Sequence, residues 1–386
     1  MTIAFVGLSG ALKRTRACDI RLAMFANLMA ENNKVIVVNR YSALKDLSFS
    51  NIKLEDDIEQ HELITPRRTG KMLSVLYLIA SVLIEPFYLI KKNRKDPINF
   101  LHVYSGHYFD FLLYHLVARI IGARVLYQYV EYKSTLDPRS LYDRVNNYLC
   151  DNRGPKLWDG VIAISSYLEN AALRINEHLK TIRIPPICDF TLFDSIRGES
   201  FVDSQYILYC GSIGYLEVVR LILESYRQSV LSHYYKLVLV LSGDKKEIEL
   251  FANDNQDIIV YYNLAYNDLI ALYKNASLLL IPLRNNIRDI ARFPNKICEY
   301  LASKGAIVTT AVGEINTFFE DGESAIIAQD YSVESLKKVL DRVSNGDYDL
   351  LKIKRNAYRI GKDFFNSSSV KDSLNSFLNE FELKTN

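Results

Sequence analysis

Short apolar runs recur along the chain, and many are followed by a stretch with helical spacing. Ile3 to Val6, ended by Gly7, reads as the first buried strand of a parallel sheet. Asp19 to Ala30 then places Leu22, Phe25, Ala26 and Met29 on one helical face. Lys34 to Asn39 is the next strand, so strand, helix and strand fit in about 35 residues and make a βαβ unit. The alternation continues with strands at Asn99 to Val103, Arg124 to Tyr129, Gly160 to Ile164 and Thr181 to Ile184. Helices are predicted at Phe109 to Ile121 and Tyr167 to Arg174, the second capped by Ser165 and Ser166.

Pro185-Pro186 can continue neither a strand nor a helix, and the polar, aperiodic residues from Pro185 to Gln205 read as a linker. A second series follows it. Strands are predicted at Tyr206 to Cys210, Lys236 to Leu241, Ile258 to Tyr261, Ser277 to Ile281 and Ala306 to Thr309. Helices are predicted at Val218 to Val230, Tyr266 to Asn275 and Asn295 to Ser303, and mixed-charge helices from about Val333 to Leu383 close the chain. The fold class is therefore α/β, with two doubly wound, Rossmann-like domains. The first spans 1–190 and the second 200–365, with a helix at 366–386 that can pack back on the first. The carboxyl ends of both sheets are expected to face an interdomain cleft that holds a ligand.

The stretch 66–95 departs from this rhythm. Basic residues flank an apolar run from Met72 to Ile90 that is about long enough to cross a bilayer. Glu85 and Pro86 inside it argue against a simple span. Three readings stay open: a helix packed in the first domain, a surface helix on anionic lipid, and a transmembrane span.

Composition narrows the function classes. At 386 residues the chain exceeds one ordinary core, and 49% hydrophobic with 24% charged residues is a globular balance. A net charge of +2 gives no field that would mark a nucleic-acid partner. The five cysteines are scattered, which reads as reduced thiols of a cytoplasmic protein. No HxxxH or HExxH cluster occurs and no metal-binding DxD pattern is evident, so neither a metal nor a resident cofactor is expected. The N-terminus has no basic region or cleavage site of a secretory signal. No GxGxxG fingerprint is present, which disfavours hydride chemistry.

From Tyr273 to Ala325 an apolar strand ends at Pro282, and a loop leads to Phe293-Pro294. A helix with Glu299, a strand ending at Thr309-Thr310, and Gly313-Glu314 follow. This order resembles the donor-binding region of the retaining glycosyltransferases of the GT-B fold, the family 4 or group 1 type. Tyr209-Cys-Gly-Ser-Ile-Gly214 is similar to that family's first nucleotide-domain turn, and 159–168 with the IPPICDFTLF segment to the end of its first domain. The resemblance implies that Glu299 binds the donor ribose, and that Gly313 and Glu314 contact the sugar or its phosphate.

The residues themselves carry compatible chemistry. Gly211, Ser212 and Gly214 end a buried strand before a helix, where backbone N–H groups can approach a diphosphate; a tight turn is the plainer alternative. Arg292, Asn295 and Lys296 stand at a helix start, where cations oppose the helix dipole and so favour an anionic partner over a merely solvated basic end. Glu299 lies three residues after Lys296 and could equally form a salt bridge to it. The sequence departs from the family where a first glutamate is expected: Ala291 occupies that place, with Asp289 the nearest acid. Ser212 and Glu217 also stand where the family has basic residues.

Acceptor groups are expected on first-domain loops after strands. Candidates are Ser9-Gly10 with Arg14 and Arg16, then Ser105-Gly106-His107, and Glu131. His107 could move a proton at the acceptor hydroxyl or be a solvated or capping residue; Glu131 could orient the acceptor; His102 reads as a core histidine. The expected catalytic groups are thus His107, Glu131 and Asp289. The resemblance implies transfer from a nucleoside diphosphate sugar to a glycan or lipid-linked glycan, as in capsule or O-antigen assembly, and the surface reading of 66–95 would place it at the inner face of the membrane. Retention implies double displacement or same-face attack. A non-catalytic partner protein and a sugar-nucleotide epimerase of the same fold are the alternatives.

Overall fold

In the computed structural model, the described residues are 1–9, 17–41, 57–64, 71–199 and 201–381. Gly10, Arg14 and Arg16 lie outside them. The chain divides into two compact units, Met1–Pro185 with Val370–Asn386, and Pro186–Ser369.

Unit 1 alternates strands and helices. It runs β1 (Thr2–Ser9), α1 (Ala17–Ala30), β2 (Lys34–Tyr41), β3 (Glu59–Ile64), α2 (Lys71–Asn93), β4 (Phe100–Val103) and α3 (Tyr108–Ile121). It continues with β5 (Arg124–Tyr129), α4 (Leu141–Asn152), β6 (Gly160–Ala163), α5 (Ser166–Leu173) and β7 (Lys180–Arg183). The seven strands are parallel, in the order β3-β2-β1-β4-β5-β6-β7, so the winding reverses between β1 and β4. The central strands are buried on both faces and read as unbroken apolar runs for that reason. Ser165 caps α5, its hydroxyl accepting from the Leu168 N–H; Ser166 is the first helical residue instead of a second cap.

Unit 2 begins with α6 (Phe190–Ser195), inside the segment expected to be a linker. Asp189 caps it, and Phe190 and Phe193 are buried. Then come β8 (Tyr206–Ser212), α7 (Leu216–Gln228), β9 (Lys236–Ser242), α8 (Lys245–Asp254), β10 (Ile259–Tyr262), α9 (Tyr266–Asn275) and β11 (Leu278–Ile281). After these are α10 (Ile287–Ala291), α11 (Lys296–Ala302), β12 (Ile307–Thr310), α12 (Ile315–Phe318), β13 (Ile326–Ala328), α13 (Val333–Ser344) and α14 (Leu350–Ile360). The six parallel strands lie in the order β10-β9-β8-β11-β12-β13, and the winding reverses between β8 and β11. One apolar cluster joins the inner faces of α7 and α13 to β8, β9 and β11.

The chain leaves and rejoins unit 1 at one place. Cys188 N–H donates to Phe365 O at 3.0 Å and Ser367 N–H to Cys188 O at 3.0 Å. The last helix, α15 (Lys371–Asn379), then packs in unit 1 against α1 and β7. Phe381 meets Phe100 edge-on at 5.4 Å.

Within the stretch 66–95, Lys71–Asn93 form α2, with Glu85 fully buried and Leu83 and Phe87 exposed. Among the described residues no helix is long and apolar enough to cross a membrane, so the spanning reading is not met. His102 is in the core, as expected, against Phe5.

Candidate functional site

In open α/β sheets, ligands bind outside the carboxyl ends of the strands where the winding reverses. In unit 2 this places the site at the ends of β8 and β11. β8 ends at Gly211-Ser212, and a single turn, Ile213–Tyr215, leads into α7. The Ser212 hydroxyl accepts from Gly214 N–H at 3.2 Å, so this amide is engaged within the turn. A side chain on Gly211 would collide with the Tyr209 ring, so packing alone requires that glycine.

The loop after β11 carries Arg284, and α10 carries Arg288 and Asp289, with Arg292 directly after it. The guanidinium carbons of Arg284, Arg288 and Arg292 stand 6.0, 5.6 and 4.8 Å from the Tyr215 ring centre. Arg292 Nη1 donates to Tyr215 Oη at 2.6 Å. Asp289 is only 2% exposed and binds both flanking arginines. Arg284 donates to it from Nε at 2.8 Å, from Nη2 at 3.1 Å and from its backbone N–H at 3.0 Å. Arg292 Nη2 lies 3.2 Å from Asp289 Oδ1, the oxygen that Arg284 Nη2 also meets. Burial pushes the Asp289 carboxyl upward, but the hydrogen bonds from Arg284 and the charges of both arginines outweigh this and hold it below its usual range. Glu217, largely exposed, is the second acid, 3.3 Å from Arg284 Nη1.

Three cations thus gather around one aromatic ring with two carboxylates between them. Like charges at this spacing repel, and an added anion would relieve the excess. The four-residue spacing Arg284, Arg288, Arg292, Lys296 was the signal in the sequence for the first two, and it went unread. Tyr215 had no such signal, because it comes from a different βα loop.

Arg292 and Lys296 meet different protein partners. Lys296, in the first turn of α11, pairs with Glu299 at 2.8 Å and lies 5.7 Å from the Tyr273 ring centre. The salt bridge left open as an alternative for Glu299 therefore forms. Asn295 precedes α11 without capping it through its side chain; its carbonyl accepts from Cys298 Sγ at 2.9 Å.

β12 supports this loop. Thr309 Oγ1 donates to Ile281 O at 2.9 Å, and Thr310 Oγ1 accepts from Leu283 N–H at 2.8 Å, just before Arg284. Gly313 has φ +57°, and a Cβ there would stand 3.2 Å from Ile290 O, so the β12 loop lies close against α10. Glu314 follows, buried at 4% exposure.

In unit 1 the reversal point lies between β1 and β4. His107 precedes α3, exposed, with Nδ1 3.3 Å from Tyr142 Oη; its side chain does not cap the helix. Glu131 follows β5, half-buried, in a loop held by Asp151. Asp151 accepts from Tyr129 Oη at 2.9 Å and from the N–H groups of Lys133 and Ser134 at 3.2 and 2.5 Å. Beneath these loops is a buried network that sequence reasoning missed. Arg40 binds Glu85, Asp110 at 2.7 Å and Tyr114 at 2.6 Å. Glu85 also takes the Gly7 N–H at 3.2 Å and the Tyr114 hydroxyl. Asp110 takes the Ser105 hydroxyl, whose oxygen accepts from His107 N–H at 3.2 Å. Burial pushes the Glu85 carboxyl upward against the pull of Arg40. Its signal was a glutamate inside an apolar run, read only as an obstacle to membrane insertion.

Comparison with known proteins agrees with this fold. No curated protein sequence matches the chain. Among solved structures, sucrose-phosphate synthase from Thermosynechococcus elongatus matches with TM-score 0.74 at 13% identity, covering 100% of both chains. Anabaena Alr3699/HepE in complex with UDP-glucose matches with TM-score 0.69 at 15% identity, covering 98% of this chain and 100% of that one. WaaG, a glycosyltransferase involved in lipopolysaccharide biosynthesis, matches with TM-score 0.60 at 14% identity, covering 97% and 99%. At such identity these likenesses show the fold, two Rossmann-like units of GT-B type. Residues 193–360, which hold the arginine cluster, match the family model of the glycosyl transferases group 1.

Proposed function

We propose that this chain transfers a glycosyl group from a nucleoside diphosphate sugar to a glycan or lipid-linked glycan, with retention, in cell-surface polysaccharide assembly at the cytoplasmic face of a membrane. The observation that carries the reading is the convergence of Arg284, Arg288 and Arg292 on Tyr215 at the reversal point of unit 2. The diphosphate gains negative charge as the glycosyl bond breaks, and preorganised guanidinium groups stabilise that charge where it develops. The UDP-glucose held by the Anabaena protein supports a donor of this class.

In this reading Arg284, Arg288 and Arg292 bind the diphosphate, with Gly211, Ser212 and Gly214 forming the wall of the site. Glu299 takes the ribose, freed in part from Lys296, which then meets phosphate. Gly313 and Glu314 approach the sugar. Asp289 holds the arginines in place and takes no proton. His107 and Glu131 serve the acceptor. Contact through 66–95 suits an acceptor anchored in lipid.

A panel of UDP- and GDP-sugars, read by thermal shift and then by product analysis with and without acceptor, tests the proposal. One donor should raise the melting temperature of the wild type and not that of an Arg284→Gln/Arg292→Gln variant. Unchanged donor affinity in that variant would remove the reading. An epimerised donor, or binding without transfer to any glycan acceptor, would point to the alternative activities.

A further inference from the structure

In α2 the usual distribution of polar and apolar faces is inverted. Ser81, Glu85 and Leu89 follow one another at helical spacing on the inner face and are fully buried. Leu76, Ile79, Leu83 and Phe87 occupy the opposite face, and Phe87 is 74% exposed. A helix packed only into unit 1 would turn its apolar side inward.

The neighbouring helices continue the pattern. α3 packs beside α2, and α4 beside α3. α3 exposes Phe109, Leu112, Leu116 and Ile120 along one stripe, with Ile120 at 67%. α4 exposes Leu141, Tyr142, Val145 and Tyr148, with Leu141 at 75%. These three helices hold thirteen of the twenty exposed large hydrophobic residues among those described. A surface of this kind marks an interaction face.

Charge identifies the partner. Three of the four carboxylates on these helices, Glu85, Asp110 and Asp151, are buried. Lys91, Arg94 and Lys95 at the end of α2, Arg119 on α3 and Arg144 on α4 remain exposed. An apolar face rimmed by cations fits an anionic lipid surface, with long basic side chains reaching the headgroups. A second copy meeting this face about a twofold axis would set cation against cation.

We propose that the outer face of α2, α3 and α4 docks on an anionic bilayer. This deepens the membrane contact of 66–95 by extending it to two further helices, and it needs nothing from the donor assignment. Tyr142 belongs to the docking face and touches His107, so the face borders the acceptor-side loop.

Flotation of the full chain with phosphatidylcholine vesicles, with and without phosphatidylglycerol, tests the proposal. The chain is expected to float with the anionic vesicles only, and less so at high salt. Leu116→Glu/Ile120→Glu on α3 and Lys91→Gln/Arg94→Gln/Lys95→Gln after α2 should each weaken partition at least about tenfold. The second variant leaves the apolar face intact, and unchanged circular dichroism guards against misfolding in both. Failure of the wild type to float, equal flotation with neutral vesicles, or wild-type flotation of the α3 variant would overturn the proposal. So would a dimer lost in the α3 variant without any vesicle binding, which would assign the face to a second copy. Vesicle binding without nucleotide binding would sink the donor reading alone.

Discussion

At the scale of single residues, the guanidinium groups around Tyr215 are held before any ligand arrives. A charged hydrogen bond to phosphate contributes about 1.5–3 kcal/mol, so Arg292→Gln should weaken nucleoside diphosphate binding about tenfold to a hundredfold. Calorimetric titration checks this, and an affinity within error of the wild type would contradict it. Asp289→Asn should act differently. It removes the counter-charge that both Arg284 and Arg292 use, and should cost about 3 kcal/mol or more of stability, read from urea unfolding. Its pH signature follows from its lowered pKa. The stability it contributes is complete above the ordinary carboxylate value and is lost only as pH falls below it. His102 offers a second signature. Burial, with Arg21 nearby, pushes its pKa from 6.5 down to about 3, and neither ring nitrogen has a hydrogen-bond partner. The unfolded chain therefore takes up a proton near pH 6.5 that the folded chain refuses. Stability is full above that pH and falls on acidification by about 1.4 kcal/mol per unit until the folded pKa is reached. His102→Leu should lose this slope; parallel curves for the two proteins between pH 7 and 4 would refute it.

At the scale of elements, the site depends on how β12 holds the loop after β11. Thr310 accepts from Leu283 N–H, one residue before Arg284. Thr310→Val would leave a buried N–H unpaired, at a cost of about 1–3 kcal/mol, and should also weaken donor binding because Arg284 loses its fixed base. Stability and affinity measured on the same variant test both. The central strands were legible because four or more consecutive buried residues leave no polar alternation to misread, as in Leu278–Ile281. β3 was not, since Glu59–Ile64 is a half-buried edge strand of mostly polar residues, with Gln60 and Glu62 exposed. α8 was missed for a similar reason: of its ten residues only Ile248 is buried. α6 was hidden because its six residues, soon after Pro185-Pro186, are too few to show helical spacing. In the site, Arg292, Lys296 and Glu299 could be named from local spacing. Which of them faces which partner could not, because Tyr215 and Asp289 decide it through contacts that spacing does not encode.

At the scale of the whole molecule, the two units use one winding plan with opposite chemistry at the reversal point. In unit 1, Glu85 and Asp110 flank the guanidinium of Arg40; in unit 2, the guanidinium groups of Arg284 and Arg292 flank Asp289. The chain path gives this division a consequence. Unit 2 is an insertion into unit 1, and its two ends meet where Cys188 pairs with Phe365 and Ser367. Unit 1 by contrast is completed by α15, with Phe377 and Phe381 lying against Gly160. Residues 186–369 produced alone should therefore fold cooperatively and bind the nucleoside diphosphate with the same dependence on Arg292 as the full chain. Residues 1–185 alone lack their closing helix and should unfold at lower urea than unit 1 in the full chain. Equal stability of unit 1 with and without 370–386, or a 186–369 fragment that binds no nucleotide while the full chain does, would show that the division fails.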